Sequence, residues 1–247
     1  MKKIVLNILG FIKKIRTIYR NYTTPGPLVY APGHYAYQRF IEEELSDCYD
    51  YFKKYFYKTI FLPEKRLRKY AIENALKKDK SEDHLYLEFG VYTGKSTNFF
   101  SSKLKNTFYG FDSFEGFNED WLGHSHGEGD FSLNKNLPKL NSNVALQIGW
   151  VQDTLPVFLK KNSDKKINFV HMDMDTYKTT KFILENIKPF LTNGAIICFD
   201  ELYNYEGWSV GEFKALSESF NEDEFIYKCF SSDGAQVVIE YNPMSEK

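Results

Sequence analysis

The sequence has few cysteines, and their spacing excludes several kinds of site. The chain of 247 residues contains three, Cys48, Cys198 and Cys229, which are far apart and form no Cys-x-x-Cys pair or Cys/His cluster. A structural zinc site and a disulfide framework are therefore not expected. Unpaired cysteines are typical of a reducing compartment, so we expect a cytoplasmic protein.

The sequence also lacks an excess of charge of either sign. It has 32 basic and 33 acidic residues and a formal net charge of −1, so we expect no nucleic acid partner. An uninterrupted apolar run is missing near the N-terminus, because Lys13 and Lys14 divide a stretch that is too short to cross a bilayer. No small-residue cleavage site follows this stretch, and a signal peptide is not expected.

Acidic residues are absent before Glu42. Residues 1–22 instead carry basic side chains between apolar ones at helical spacing, such as Ile4, Ile8 and Ile15. This pattern predicts an amphipathic helix. One interpretation is a peripheral contact with an anionic membrane surface or a partner. The other is packing against the domain or a second copy of the chain in a homo-oligomer.

The pattern of elements changes near residue 80. Pro and Gly in Thr23–Gly33 predict a linker, and Tyr35–Lys78 has helical periodicity with a break at Pro63. After this, short apolar strands alternate with helical segments. We therefore divide the chain into an N-terminal helical extension, residues 1–80, and an α/β domain, residues 81–247.

Seven strands are predicted in the α/β domain. They are Leu85–Phe89, Thr107–Asp112, Val144–Ile148, Ile167–Asp173, Ala195–Asp200, Phe225–Phe230 and Ala235–Tyr241. Strands that alternate with helices predict a doubly wound, mostly parallel sheet, and the last two strands form a C-terminal antiparallel hairpin. Ligands of such sheets bind at the carboxyl ends of the strands.

The turn after the first strand, Glu88–Ser96, has the pattern of a cofactor-binding loop. Gly90 allows a sharp turn and close approach of a ligand, and Gly94 and Ser96 begin a helix whose free N–H groups favour a carboxylate. Glu88 can accept hydrogen bonds from an ammonium or ribose, and Tyr92 lies in the same loop. The pattern differs from the GxGxxG of dinucleotide sites. The alternative is an ordinary glycine-containing turn.

Two further strand ends complete the predicted cofactor site. Asp112 ends the second strand, where a carboxylate can bind both hydroxyls of a ribose, and Ser113 follows it. The alternative for Asp112 is a helix cap or a solvated acid. Gly149 and Trp150 follow the third strand, where Trp150 could stack on an adenine or serve only in packing.

Acidic residues stand at the ends of the fourth and fifth predicted strands. Because adjacent strands lie about 4.8 Å apart, Asp173, Asp200 and Glu201 can converge. Clustered carboxylates raise one another's pKa unless a cation neutralises them, and oxygen ligands suit Mg²⁺ or Mn²⁺. The alternative is that these acids cap helices or face water. His124 and His126 lie in a long polar loop typical of a lid.

Several ordered blocks between Leu85 and Leu216 resemble the macrocin O-methyltransferase family. The blocks are LEFGVYTGKS, YGFDSFEGF, GWVQDTLP, HMDMDTYKTT, ICFDELY and VGEFKAL. The resemblance implies a class I methyltransferase fold that binds S-adenosylmethionine at Glu88, Gly90 and Asp112, with Asp173 also near the cofactor. It implies a divalent cation at Asp173, Asp200 and Glu201. It further implies methyl transfer to a hydroxyl of a sugar, glycan or natural product, as in surface polysaccharides.

The chain departs from this family at two positions. Glu201 stands where the family commonly has a second aspartate, and Thr176 stands where related catechol-type enzymes have a lysine base. Asp175, Asp173 or a lid histidine remains as the catalytic base. Two other functions stay open, an NAD-dependent dehydrogenase or epimerase and a non-catalytic methyltransferase-like scaffold. The missing GxGxxG and the terminal hairpin argue against the first, and the complete carboxylate set argues against the second.

Overall fold

Eight strands form one mixed sheet in residues 32–79 and 83–243, which the computed structural model describes. They are β1 (Ile60–Leu62), β2 (Leu85–Phe89), β3 (Phe108–Asp112), β4 (Val144–Ile148), β5 (Ile167–Met172), β6 (Leu191–Phe199), β7 (Phe225–Ser231) and β8 (Val237–Tyr241). Their order across the sheet is β1-β7-β8-β6-β5-β2-β3-β4. All neighbours are parallel except β8, which is antiparallel to β6 and β7. The predicted fold class is confirmed.

Helices cover both faces of the sheet. They are α1 (Pro32–Phe56), α2 (Glu64–Lys78), α3 (Lys95–Ser101), α4 (Val151–Lys161), α5 (Tyr177–Ile187) and α6 (Glu212–Ser219). The buried apolar residues of α2 and α3 form one core cluster with the sheet. Those of α4, α5 and α6 form a second, which includes Cys48 and Phe52 of α1.

The central strands β2 and β5 are buried along their whole length. Continuous burial of this kind is typical of parallel strands covered on both faces. Successive side chains alternate between the two clusters, so that Leu87 and Phe89 belong to one and Tyr86 to the other. This alternation decides which strand-end residues reach the site on each face.

The sheet has one strand more than the seven predicted. Strand β1 is three residues long and pairs in parallel with β7 at the edge of the sheet. A strand this short shows no alternating pattern, so sequence periodicity did not separate it from the helices on either side. The predicted break at Pro63 is confirmed, since Pro63 directly precedes α2. The predicted boundary at residues 80 and 81 stays a prediction, although β1 and α2 precede it and belong to the sheet and its covering layer.

The chain divides into two compact units, residues 1–43 and 44–247. Of the first, the structure describes the start of α1, where Gln38 bonds to Glu42 and Arg39 to Glu43. The predicted basic helix of residues 1–22 lies outside the described residues, and its membrane or subunit contact stays a prediction. None of the described helices is long and apolar enough to cross a membrane.

At Gly90 the backbone after β2 lies against the backbone of the turn after β5. The φ of Gly90 is +88°, and a Cβ at this position would lie 1.8 Å from the carbonyl oxygen of Asp173. Gly129 has a φ of +86° but open space around it. We predict that Gly90→Ala lowers the free energy of unfolding by about 3 kcal/mol or more, because a clash adds to the backbone strain. Gly129→Ala should lower it by about 1 kcal/mol through strain alone.

Urea unfolding of both variants measures this difference. Equal losses in the two variants would show that the approach of β2 to the turn after β5 is not a constraint on stability.

Candidate active site

A cavity opens at the carboxyl ends of strands β2 to β6. Residues that follow or end β2, β3 and β4 line it, among them Gly90, Asp112 and Gly149. Asp173 and Glu201, which follow β5 and β6, line it as well. The predicted cofactor and metal positions therefore meet, in large part, in one cavity.

Asp112 connects the loop after β2 with the loop after β3, the two loops where the sequence predicts cofactor binding. Its Oδ2 accepts hydrogen bonds from the amides of Val91 at 2.9 Å and Tyr92 at 2.7 Å, and its Oδ1 accepts one from Phe114 at 2.7 Å. A carboxylate offers about four acceptor positions, so Oδ1 keeps one for a ligand. Asp112 thus fixes the first turn against the second while it faces the cavity.

Ser113, Gly149 and Trp150 also line the cavity, as the sequence predicts. The amide of Gly149 donates to the carbonyl of Asp112 at 3.0 Å, which joins the ends of β3 and β4. Trp150 directly precedes α4. The cavity therefore has a ring at the position where the sequence predicts adenine, and that role stays a prediction.

The loop after β2 contributes unequally to the cavity. Gly90 and Tyr92 line it, and the Tyr92 ring meets Phe131 edge-on with centroids 5.6 Å apart. Gly94 and Ser96 lie at the start of α3 and do not line it. Their predicted part in cofactor binding stays untested by this geometry.

Glu88 is buried away from the cavity in an ionic network. Its Oε1 lies 2.9 Å from Nδ1 of His171, and Nε2 of His171 lies 3.4 Å from Oδ1 of Asp200. Burial alone would lower the pKa of His171, but its contacts with Asp200 and Glu88 raise that pKa to about 10. A charged imidazolium therefore joins the two carboxylates. The predicted contact of Glu88 with the cofactor stays a prediction.

Three other carboxylates converge in the cavity. Asp173, Asp175 and Glu201 each place an oxygen within 4.8 Å of the others. Burial raises the pKa of Asp173 and Glu201 well above the ordinary value, and it raises the pKa of Asp175 to about 6. Neighbouring carboxylates add to the shift by repulsion.

This cluster fits a hard divalent cation. Oε2 of Glu201 is buried and has no hydrogen-bond partner among the described residues. A buried carboxylate oxygen without a partner is costly, and a cation would satisfy it. An all-oxygen donor set is the type that Mg²⁺ and Mn²⁺ prefer.

Asp200, the third predicted ligand, has a different environment. It accepts a hydrogen bond from Nη2 of Arg68 at 2.8 Å and another from Gln236. Burial would raise its pKa, but His171 and Arg68 hold the pKa of Asp200 well below its usual range. Asp200 forms a second close group with His171 and Asp173 and does not line the cavity. Its role as a ligand stays a prediction.

Some residues of the site were not found by sequence analysis. Arg68 lies in α2, and Gln236 directly precedes β8. Neither belongs to one of the motifs at the strand ends. Glu212 lies within the VGEFKAL block without an assigned role. An aromatic wall formed by Phe117, Trp121 and Phe131 of the β3–β4 loop also lines the cavity.

The lid histidines lie behind this wall. The ring of His124 stacks on Trp121 with centroids 4.1 Å apart, and Nδ1 of His126 lies 3.1 Å from Oδ2 of Asp130. Neither histidine lines the cavity. His126 is nevertheless near enough to Asp175 to oppose the rise in its pKa, and the choice of base stays a prediction.

Residues 87–202 match a family model described as a methyltransferase domain. This range contains the loops after β2 to β5 and the acids after β6. No curated protein matches the chain.

Solved structures match over most of the chain. A structure of CalS11, described as a calicheamicin methyltransferase, is 23% identical, covers 85% of this chain and 93% of its own, and has a TM-score of 0.60. An apo structure of CalS11, described as a TDP-rhamnose 3'-O-methyltransferase, is 24% identical, with coverage of 70% and 76% and a TM-score of 0.53. The O-methyltransferase NovP is 19% identical, with coverage of 72% and 78% and a TM-score of 0.50.

These likenesses confirm the fold, and the family match favours methyl transfer over a dinucleotide-dependent reaction. The site agrees with the fold likeness and with the family match. It has a cavity at the strand ends, a glycine turn after β2 and an acid at the end of β3. The chain therefore has the fold of these methyltransferases, and its residues 87–202 are similar to the methyltransferase-domain family.

Proposed function

We propose that the protein transfers a methyl group from S-adenosylmethionine to a hydroxyl oxygen of a sugar, in a glycan or a natural product, with the help of Mg²⁺ or Mn²⁺. One observation carries this proposal. The cavity that contains Gly90, Asp112 and Trp150 also contains the carboxylates of Asp173, Asp175 and Glu201. A methyl donor and a cation-bound hydroxyl could therefore be held side by side.

The cofactor would supply an electrophilic methyl carbon, and a cation would lower the pKa of the acceptor hydroxyl. Asp112 would bind the ribose through the free acceptor position of its Oδ1, and Trp150 would pack against the adenine. Asp173 and Glu201 would hold the cation. This division gives the donor and the acceptor different residues, which allows the donor to be aligned with the oxygen.

We propose Asp175 as the base, because it lines the cavity beside the acids that would hold the cation. A carboxylate at this position could take the proton of the acceptor hydroxyl and release it to water. Its place in the carboxylate cluster also suits it as a ligand. Substitution can separate the two roles, since a base affects turnover and a ligand affects cation affinity.

The sugar acceptor is supported by the aromatic wall and by the relatives. Phe117, Trp121 and Phe131 offer ring faces and edges beside the carboxylates. Apolar faces of a sugar ring pack on such surfaces while its hydroxyls reach polar groups. Two of the similar structures are described as methyltransferases of calicheamicin and of TDP-rhamnose.

The cofactor part of the proposal predicts a role for Asp112. Asp112→Ala removes an acceptor for the ligand and three amide contacts. It should weaken binding of S-adenosylhomocysteine about tenfold or more, since charge-assisted hydrogen bonds contribute about 1.5–3 kcal/mol each. Calorimetry measures the affinity, with Asp153→Ala as control, because Asp153 lies exposed in the first turn of α4. Unchanged affinity, or tight NAD binding by the wild type, would contradict this role.

The cation part predicts that methyl transfer stops in excess chelator and returns with Mg²⁺ or Mn²⁺. Glu201→Gln should lower Mn²⁺ affinity on the order of 100-fold, because it replaces a charged ligand whose Oε2 has no hydrogen-bond partner among the described residues. Asp175→Asn with turnover lost and Mn²⁺ affinity kept would identify the base. Mn²⁺ titration followed by electron paramagnetic resonance makes the measurement. Full turnover by demetallated protein in chelator would refute the cation.

The pKa shifts predict how stability depends on pH without metal. Asp173, Asp175 and Glu201 have raised pKa values in the folded state. Stability is therefore full below their unfolded values and is lost as pH rises through the folded ones. The raised pKa of His171 acts in the same direction above its ordinary value. The metal-free protein should thus have a lower Tm at about pH 8 than at about pH 5.5.

Mg²⁺ should raise the Tm more at the higher pH, because protonated acids do not ligate. Differential scanning fluorimetry at the two pH values tests both points, and Glu201→Gln should lose most of the response. A Tm that rises with pH in the absence of metal would contradict the assignment.

A further inference from the structure

Glu212 is a fourth acid at the carboxyl end of the sheet, and the proposed reaction gives it no role. It is the first residue of α6 and is fully buried. Its Oε1 accepts a hydrogen bond from the amide of Met174 at 3.2 Å, and its Oε2 accepts one from the amide of Glu201 at 3.4 Å. Both of its oxygens therefore have backbone partners.

The two amides belong to the two turns that carry the carboxylate cluster. Met174 stands between Asp173 and Asp175 after β5, and Glu201 follows β6. One side chain thus connects the turns from inside the protein. The groups of possible metal ligands among the described residues do not include Glu212, which agrees with its use as an acceptor for N–H groups.

The turn after β5 needs such support. Asp175 has a φ of +60°, a left-handed conformation that is unfavourable for a residue with a side chain. Such a backbone persists only where neighbouring contacts hold it. The bond from Met174 to Glu212 is one of these contacts, and it lies directly beside the strained residue.

We propose that Glu212 is a positioning residue that sets the separation of Asp175 and Glu201 and so prepares the cation site. This inference rests on the proposed function. Burial of a carboxylate beside three other acids is unfavourable, and its two amide bonds are the compensation that the structure provides. Without them the turns would move apart and the oxygens of the cluster would no longer converge.

The test compares Glu212→Gln and Glu212→Ala with a matched control. Glu44→Gln is suitable, because Oε2 of Glu44 also accepts a hydrogen bond from a backbone amide, that of Gly207, at 3.2 Å. Gly207 lies in the connection between β6 and α6, and neither residue lines the cavity. Glu212→Gln keeps one acceptor and should lower Mn²⁺ affinity about 10- to 100-fold, and Glu212→Ala should lower it further. Affinity for S-adenosylhomocysteine should stay within about twofold in all three variants.

A second readout needs no metal. In the metal-free protein, amide exchange of Met174 and Glu201 measured by NMR should become about tenfold faster or more in Glu212→Ala, with one of the two affected in Glu212→Gln. The control should leave both amides unchanged. Where Glu212→Ala does not fold, Glu212→Gln decides.

The outcomes separate the two proposals. Unchanged Mn²⁺ affinity and unchanged exchange in folded Glu212→Gln would overturn the role of Glu212. Wild-type protein that binds S-adenosylhomocysteine but no Mn²⁺ would overturn the cation instead. Faster exchange at Met174 or Glu201 would then still support Glu212 as the link between the turns, and unchanged exchange would overturn it.

Discussion

Burial of like charge at the ends of β5 and β6 is the constraint on which the rest of the site depends. Asp173, Asp175, Glu201 and Glu212 are brought together by two parallel strands and one helix, and burial raises the pKa of each. None of the described residues that line the cavity is Lys, Arg or His. Full ionisation of these acids is therefore unfavourable in the metal-free fold, and a cation bound at the cluster would favour it.

The opposite arrangement lies on the other side of the same strand ends. There Glu88 and Asp200 flank His171, and Arg68 bonds to Asp200. Two cations thus meet two carboxylates that do not line the cavity, although His171 and Asp200 lie close to Asp173, which does. A buried pair of this kind holds its members in place more than it stabilises the fold. Asp173 belongs to both close groups, so a neutralised network lies directly beside a cluster of acids with raised pKa values.

Most of the fold could be predicted because apolar segments and turn residues that are close together in the sequence determine where its strands begin and end. The bounds of β2 and β4 agree with the sequence analysis in full, since each is a short, mostly apolar segment between turn residues. Strand β6 begins at Leu191, four residues before the predicted start at Ala195. The prediction missed these residues because Thr192 and Asn193 interrupt the apolar run. The edge strand β1 has three residues, and its existence depends on its partner β7 more than on its own sequence.

The site could be predicted only as far as strand ends determine it. Gly90, Asp112, Gly149, Asp173 and Glu201 follow directly from the order of elements, and all five line the cavity. The direction of a side chain is set by the pleat and by partners far away in sequence. Glu88 has a motif position like that of Asp112, but it lies on the face where His171 can pair with it.

Arg68 shows the same limit from the other side. It belongs to the segment that the sequence analysis treats as an extension. Arg68 precedes Asp200 by 132 residues in the chain, yet its Nη2 lies 2.8 Å from Oδ1 of Asp200. Helix α2 packs against β6, which brings the two together. Removing Arg68 would leave Asp200 with Gln236 and with a histidine that Glu88 also binds. A buried carboxylate that has lost its guanidinium is strongly unfavourable. Helix α2 is therefore part of the electrostatic network at the ends of β5 and β6, although it precedes β2 in the chain.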